Sequence, residues 1–318
     1  MARKKQADSE IQPAPVPAEA PARKSGFVSI IGRTNVGKST LLNQILRHKV
    51  SIISDKPQTT RTRIMGVHTE ARGQVVFFDT PGVHKPGHEL NRRMVQHIHD
   101  ALQGGDLLLH LIDVTQPFGQ GEQFTLDLVK GSGVKAVLVI NKIDLIRKGK
   151  ILEVIDHYRQ MHEYAAIIPV SALTGDGMEE LVDEVFSLLP EGDLLYDEDY
   201  LTNCPDRFMA AEFVREKVLR HTRQELPFTT AVLVELWDES RLETDKLLRI
   251  EATILVERDS QKAIIIGRQG QKLKEIGTEA RHDIEIHLGV HVFLGLFVKV
   301  KENWRNNPTI LQQLGLQQ

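Results

Sequence analysis

Gly32-Arg33-Thr34-Asn35-Val36-Gly37-Lys38-Ser39-Thr40 is the stretch that decides the fold. Its spacing, GxxxxGK[ST], is that of a phosphate-cradling loop. An apolar run at 27–31 enters it and helical apolar spacing over 38–46 leaves it, so it is the bend of a strand–loop–helix unit. In such a loop the backbone N–H groups turn inward around phosphates, and the following helix presents its positive N-terminus to them. Glycine suits positions 32 and 37 because the chain turns sharply with the ligand against it. Lys38 is expected on the β- and γ-phosphates and Ser39 on Mg²⁺.

The strand–helix alternation continues outward from this loop. Short apolar runs at 75–78, 107–112, 136–140 and 167–170 suit buried, mostly parallel strands. Amphipathic segments separate them, which predicts a doubly wound α/β sheet over 26–190. Residues 64–69 alternate and precede Ala71-Arg72-Gly73, so they are expected to pair with 75–78 as an antiparallel hairpin. Leu189-Pro190-Glu191-Gly192-Asp193 stops the last helix, and a linker is placed at 191–204. Residues 205–318 then read helix, strand, strand, helix, helix, strand, an α+β domain. Residues 1–25, with Gln12-Pro13-Ala14-Pro15-Val16-Pro17, cannot build a core and read as a disordered tail without a signal peptide's apolar region.

Composition narrows the function. With 318 residues, 41% hydrophobic, two domains are expected. A net charge of −3 excludes a chain that is basic all over, so any nucleic-acid contact needs a local patch. One cysteine, Cys204, excludes a disulfide framework and fits a reducing cytoplasm. No apolar run reaches the roughly 18 residues of a membrane span.

Three more strand ends carry chemistry. Asp79-Thr80-Pro81-Gly82 follows 75–78, where Asp79 would hold Mg²⁺ through water and the Gly82 amide would face the γ-phosphate. Asn141-Lys142-Ile143-Asp144 follows 136–140. The Asp144 carboxylate can accept from both guanine N1–H and its 2-amino group, which adenine does not offer. Asn141 would brace that loop and the Lys142 stem would cover one face of the base. Ser171-Ala172-Leu173 closes the next strand, with a backbone N–H expected at guanine O6.

These motifs, in this order, resemble those of P-loop GTPases of the translation-factor superclass. The resemblance implies a threonine over the γ-phosphate that completes the Mg²⁺ shell, giving Thr60, with Thr59 second, beside Ser39 and Asp79 as metal residues. It makes Lys38, Thr60 and Gly82 the catalytic candidates. Where Ras-like members place a water-orienting glutamine, this chain has Val83, so slow intrinsic hydrolysis is expected. His84 follows it and is read as a bystander. Asn35 matches the asparagine that resembles the potassium-holding residue of tRNA-modification GTPases, which implies K⁺ stimulation.

In the second domain, Ile264-Ile265-Ile266-Gly267-Arg268-Gln269-Gly270-Gln271-Lys272-Leu273-Lys274-Glu275-Ile276 carries the GxxG signature of KH domains, type II by element order. Its bare backbone can approach a phosphodiester. Residues 264–266, Leu273 and Ile276 are expected to line an apolar groove for unstacked bases. From 258 to 274 there are five Lys/Arg (Arg258, Lys262, Arg268, Lys272, Lys274) against one Asp, whereas 201–318 balances 17 against 17. The charge is therefore focused on this face. Arg220, Arg223, Arg281, Lys299, Lys301 and Arg305 are candidate extensions, though any one surface charge is more often merely solvated.

A GTPase domain followed by one KH domain resembles the Era family of bacterial GTPases over about 26–316. The matching stretches are GRTNVGKSTLLN (32–43), QTTRTRIMGV (58–67), DTPGVH (79–84), NKID (141–144), RFMAAEFVREKVL (207–219) and VKVKENWR (298–305). The resemblance implies single-stranded 16S rRNA bound near its 3′ end, a role in assembly of the small (30S) ribosomal subunit, and partly peripheral membrane association; a monomer is expected. Thr34 departs from the family's usual proline. Competing readings are the GTPase module of a tRNA-modification enzyme and a membrane-signalling GTPase. No cysteine lies near the C-terminus and no lipidation motif is visible, which weigh against them.

Overall fold

The computed structural model describes residues 22–56, 58–82, 89–222 and 226–316. β1 (Lys24–Ile31) runs through the phosphate loop into α1 (Lys38–Leu46). β2 (Ile64–Glu70) and β3 (Gly73–Asp79) form the expected antiparallel hairpin, with Ile64 opposite Asp79. There follow α2 (Glu89–Gln103), β4 (Leu107–Asp113), α3 (Gln120–Ser132), β5 (Ala136–Asn141), α4 (Lys148–Met161), β6 (Ala166–Pro169) and α5 (Met178–Leu188). The sheet order is β2-β3-β1-β4-β5-β6, and every pairing except β2–β3 is parallel. β4 and β5 are buried along their whole length, which is why both read as unbroken apolar runs. Parallel strands end on one side, so this sheet brings Gly32, Asp79 and Asn141 to a common edge.

The second domain starts at α6 (Asp206–His221) and α7 (Leu226–Thr229). It continues through β7 (Ala231–Asp238), α8 (Leu242–Asp245), β8 (Leu247–Val256), α9 (Asp259–Ile266), α10 (Gln271–Leu288) and β9 (His291–Val300). β8 is central, antiparallel to β7 and parallel to β9. Apart from the short α7 and α8, this is the α-β-β-α-α-β order that the sequence predicts. The first strand begins only at 231, because the Thr229 and Thr230 hydroxyls both donate to Leu226 O and close a helical turn first. After β9 comes α11 (Pro308–Gln313), whose Asn307 cap accepts from the Thr309 and Ile310 amides.

Residues 191–204, expected as a linker, lie against the hairpin. The Val67 amide donates to Leu201 O at 2.8 Å, and Gln74 Oε1 accepts from the Leu195 and Tyr196 amides. The edge of β2 is thereby covered. Trp304, just after β9, is fully buried; its Nε1–H donates to Thr229 O at 2.8 Å. It packs in one cluster with Leu90 and Met94 of α2 and with Leu311 and Leu316 of the C-terminal segment. Arg93 of α2 donates to Leu316 O across the same seam. No helix among the described residues is long and apolar enough to cross a membrane.

Because this one side chain packs against both domains, Trp304→Ala is expected to lower stability by about 3–5 kcal/mol, the usual cost of emptying a buried aromatic site. Denaturant unfolding of the two proteins checks it; a change below about 1 kcal/mol would mean the seam collapses without loss.

Candidate nucleotide site and nucleic-acid interface

The phosphate loop is closed by contacts that glycine alone permits. A Cβ at Gly37, whose φ is +102°, would meet Asn141 Nδ2 at 2.3 Å, and one at Gly32 would meet Leu111 O at 2.4 Å. Lys38 is buried, and its ammonium donates to Gly32 O at 3.0 Å and Arg33 O at 2.8 Å. Burial pulls its pKa down to about 8, against the pull of the Asp79 and Glu122 charges. An anion at the loop mouth would favour the charged form.

Ser39, Thr60 and Asp79 meet beside it. Ser39 Oγ–H donates to Asp79 Oδ2 at 2.6 Å and lies 2.8 Å from Thr60 Oγ1, which is itself 3.3 Å from the same carboxylate oxygen. Asp79 is fully buried, and burial pushes its carboxyl up despite Lys38 and three hydroxyl donors. Its Oδ1 is buried without a hydrogen-bond partner among the described residues. A hard-oxygen set around an under-satisfied buried carboxylate fits Mg²⁺. Of the two threonine candidates, Thr60 turns to this cluster, whereas Thr59 Oγ1 donates back to Lys56 O at 2.6 Å. Gly82 approaches the phosphate loop so closely that a Cβ would lie 2.6 Å from Thr34 Cγ2. Thr34, Asn35, Gly37, Lys38, Ser39, Thr40, Thr60, Gly82 and Lys142 all line one cavity of about 360 Å³.

Other expected ligand residues serve the loop rather than the cavity. Thr80 spends its hydroxyl on Ile30 O at 2.7 Å, Pro81 is buried, and Val36 O accepts from Asn141 at 2.8 Å. The Arg33 guanidinium turns towards buried Glu122, 4.0 Å away. Val83 and His84 lie outside the described residues.

On the base side, Asp144 is exposed and its Oδ1 accepts from Ser171 Oγ at 2.7 Å. Lys142 bridges Asn35 O at 2.8 Å and Asp113 Oδ2 at 2.6 Å. Of the three residues expected there, Ala172 donates through its amide to Asn141 Oδ1 at 2.9 Å, since that buried side chain needs its acceptor satisfied. Leu173 stands 77% exposed over this side. Asp113, which the sequence reading passes over, anchors Lys142. Burial opposes its charge, but the Lys142 and Thr115 hydrogen bonds hold its carboxyl below the usual range. Its signal was an acid ending an otherwise apolar strand.

The segment carrying Thr60 is gripped by the second domain. The Arg215 guanidinium of α6 donates to Thr59 O and, at 3.5 Å, to Gln58 O, and pairs with Glu212. Arg61 Nη1 donates to Thr230 O at 2.8 Å, its guanidinium 5.5 Å from the Trp304 ring centroid. Ile53 N donates to Glu216 Oε1 at 2.8 Å, and Ile52 is buried in the second domain's core. Thr60 therefore sits between two residues tied to the other domain.

In the KH segment, Gly267 and Gly270 take φ values of +72° and +77°. A groove of about 400 Å³ runs from Gly270 along α10 to β9, lined by Leu273, Lys274, Gly277, Thr278, Arg281 and Leu294 among others. Arg258, Lys262, Arg268, Lys272 and Lys274 have no carboxylate within 4.0 Å among the described residues, which leaves their charge available. Gln269 is exposed at the turn and Ile266 half-buried beside it. Ile265 and Ile276, expected in the groove, are instead fully buried in the core, because their spacing aims them at the sheet. Arg305 is paired with Glu257 at 2.7 Å and Arg220 with Glu279 at 3.6 Å, so neither is a free extension; Arg223 lies outside the described residues.

Comparison with known proteins agrees with both halves. Residues 27–142 match the family model described as 50S ribosome-binding GTPase, and 230–305 match the KH domain. The chain is 50% identical to the GTPase Era of Geobacter metallireducens over 92% of its own length and 97% of that protein's. It is 43% identical to that of Staphylococcus haemolyticus, with the same coverage. Among solved structures, Era in complex with MgGDPNP and nucleotides 1506–1542 of 16S ribosomal RNA is 40% identical with a TM-score of 0.89, covering 93% of this chain and all of that one. A single-residue variant of Aquifex aeolicus Era bound to GDP.AlF4⁻ is likewise 40% identical, with a TM-score of 0.88 and the same coverage. The chain belongs to the Era family of GTPases.

Proposed function

We propose that this protein binds and slowly hydrolyses GTP, and binds single-stranded 16S rRNA near its 3′ end through the KH groove, acting in assembly of the small ribosomal subunit. The relative seen with both MgGDPNP and that RNA supports the pairing of ligands. The observation that carries the reading is the grip of α6 and Thr230 on residues 58–61.

The residues divide the work. Lys38 would neutralise phosphate charge, Ser39, Thr60 and Asp79 would hold Mg²⁺ directly or through water, and Asp144 would select guanine. Bound Mg²⁺ supplies electrostatic stabilisation of charge building on the phosphates. Gly82 lets its own backbone lie against the phosphate loop at Thr34. With no glutamine after Gly82, orientation of water falls to other groups, which makes hydrolysis slow. Asn35 donates through Nδ2 to Asp55 O at 2.6 Å. Its Oδ1 and that carbonyl are oxygen donors of the kind a potassium ion takes, at the rim of the phosphate cavity.

Thr60 already stands in the metal cluster, so a change of nucleotide there would be passed to α6 and β7 through Arg215 and Arg61. The same grip passes RNA engagement back, since coupling between two sites is reciprocal. Alternative readings as a tRNA-modification or membrane-signalling module have no comparable observation behind them.

Crosslinking to total cellular RNA with GTP bound, followed by sequencing, should recover the 3′ terminus of small-subunit rRNA; dominant tRNA or diffuse crosslinks would refute the RNA assignment. Hydrolysis should be faster in K⁺ than in Na⁺ by about ten-fold or more, the effect of about 1.4 kcal/mol on the barrier; equal rates would remove the potassium reading. Arg215→Ala should slow RNA-stimulated GTP turnover by about ten-fold, while GDP affinity stays within two-fold. Unchanged stimulation would show that Arg215 does not transmit.

A further inference from the structure

Ser51 stands outside the phosphate, metal and base motifs, yet its hydroxyl reaches the metal cluster. It is 3% exposed, and Oγ–H donates to Asp79 Oδ2 at 3.1 Å. The backbone around it is clamped by one side chain of α1. Asn43 Nδ2–H donates to Ser51 O at 2.7 Å, while Asn43 Oδ1 accepts from the Val50 and Ser51 amides, each at 3.0 Å. That two-way bonding imitates a strand partner and ties residues 50–51 to the helix that follows the phosphate loop. Beyond it, Ile52, Ile53, Thr59 and Arg61 are held by the second domain instead.

Three hydroxyls therefore converge on Asp79 Oδ2, while Oδ1 has no protein partner among the described residues. Two of the three, Ser39 and Thr60, are the direct metal residues of the proposed site. Their oxygens are needed by the cation, so they do not serve Asp79 alone. Ser51 is the donor with no other task, and Asn43 keeps it in place whatever the rest of the loop does.

We propose that Ser51, fixed by Asn43, is a positioning residue for Mg²⁺: it pins Oδ2 of Asp79 and so keeps Oδ1 as the acceptor for metal-bound water. This rests on the reading of Ser39, Thr60 and Asp79 as the Mg²⁺ site. Because the clamp belongs to α1, its effect is the same with GDP and with GTP. Thr60, carried by the moving segment, matters in the GTP state.

The test is release of a fluorescent GDP analogue across graded free Mg²⁺ from the full-length protein. Ser51→Ala should raise the Mg²⁺ midpoint by about ten-fold, within the usual effect of losing an outer partner of a metal site. Release in excess EDTA should stay within two-fold of wild type, a readout that a merely loosened fold would move. Ser51→Thr, which keeps the hydroxyl, should restore the midpoint, and Asn43→Ala should shift it in the same direction as Ser51→Ala. An unchanged midpoint in Ser51→Ala, or faster release in EDTA with no shift of midpoint, overturns the proposal. Wild-type release indifferent to Mg²⁺ would overturn the metal site itself, a distinct result.

Discussion

The guanidinium of Arg215 on the carbonyls of Gln58 and Thr59 is the contact on which the two-domain arrangement turns. It is 1% exposed, paired with Glu212, and placed next to the threonine that faces Asp79 and Ser39. A buried cation is costly unless its partners are fully supplied. Here they come from Glu212 of α6 and from the loop of the other domain, so moving the loop would leave the charge with Glu212 alone. Arg61, on the far side of Thr60, repeats the arrangement. Its pKa is drawn down to about 9 by burial, with Arg215 and Arg305 nearby and Glu212 opposing. Two arginines held this way tie residues 58–61 to the second domain on both sides of Thr60.

A second set of charges extends the link to the RNA side. Lys49, just after α1, reaches Glu216 of α6 at 2.6 Å and Asp283 of α10 at 2.8 Å; Lys217 joins the same two carboxylates. Asp283 is held below the usual carboxylate range by Lys217 and Lys49, against the opposing effect of burial. α10 is the helix that leaves GxxG and forms one wall of the groove. Helix α6 thus touches both the loop carrying Thr60 and the charge cluster on the helix carrying the KH face, through neighbouring residues Arg215, Glu216 and Lys217.

Much of this was legible in the residues because its chemistry is local. The phosphate loop, Asp79 and the Asn141-Lys142-Ile143-Asp144 loop each sit at the end of an apolar strand, and parallel topology gathers strand ends. The hairpin and the order of the second domain followed from period-2 and helical patterns. What stayed hidden was long-range. Nothing local distinguishes Arg215 from the other charges of α6, Ser51 from an ordinary loop serine, or Asp113 from a strand-ending acid. Ile265 and Ile276 were placed in the groove because they flank GxxG, whereas helical rotation turns them into the core and leaves Gly277 and Leu294 at the groove. The use of Ala172 by Asn141 likewise depends on two loops meeting.

The central claim is that nucleotide state and RNA engagement are coupled through residues 58–61. The direct measurement is the affinity of the protein for a 16S 3′-terminal oligonucleotide, at one fixed salt concentration, with a non-hydrolysable GTP analogue and with GDP. The account predicts tighter RNA binding in the GTP state by about ten-fold, a coupling of about 1.4 kcal/mol. Equal affinities in the two states would contradict it.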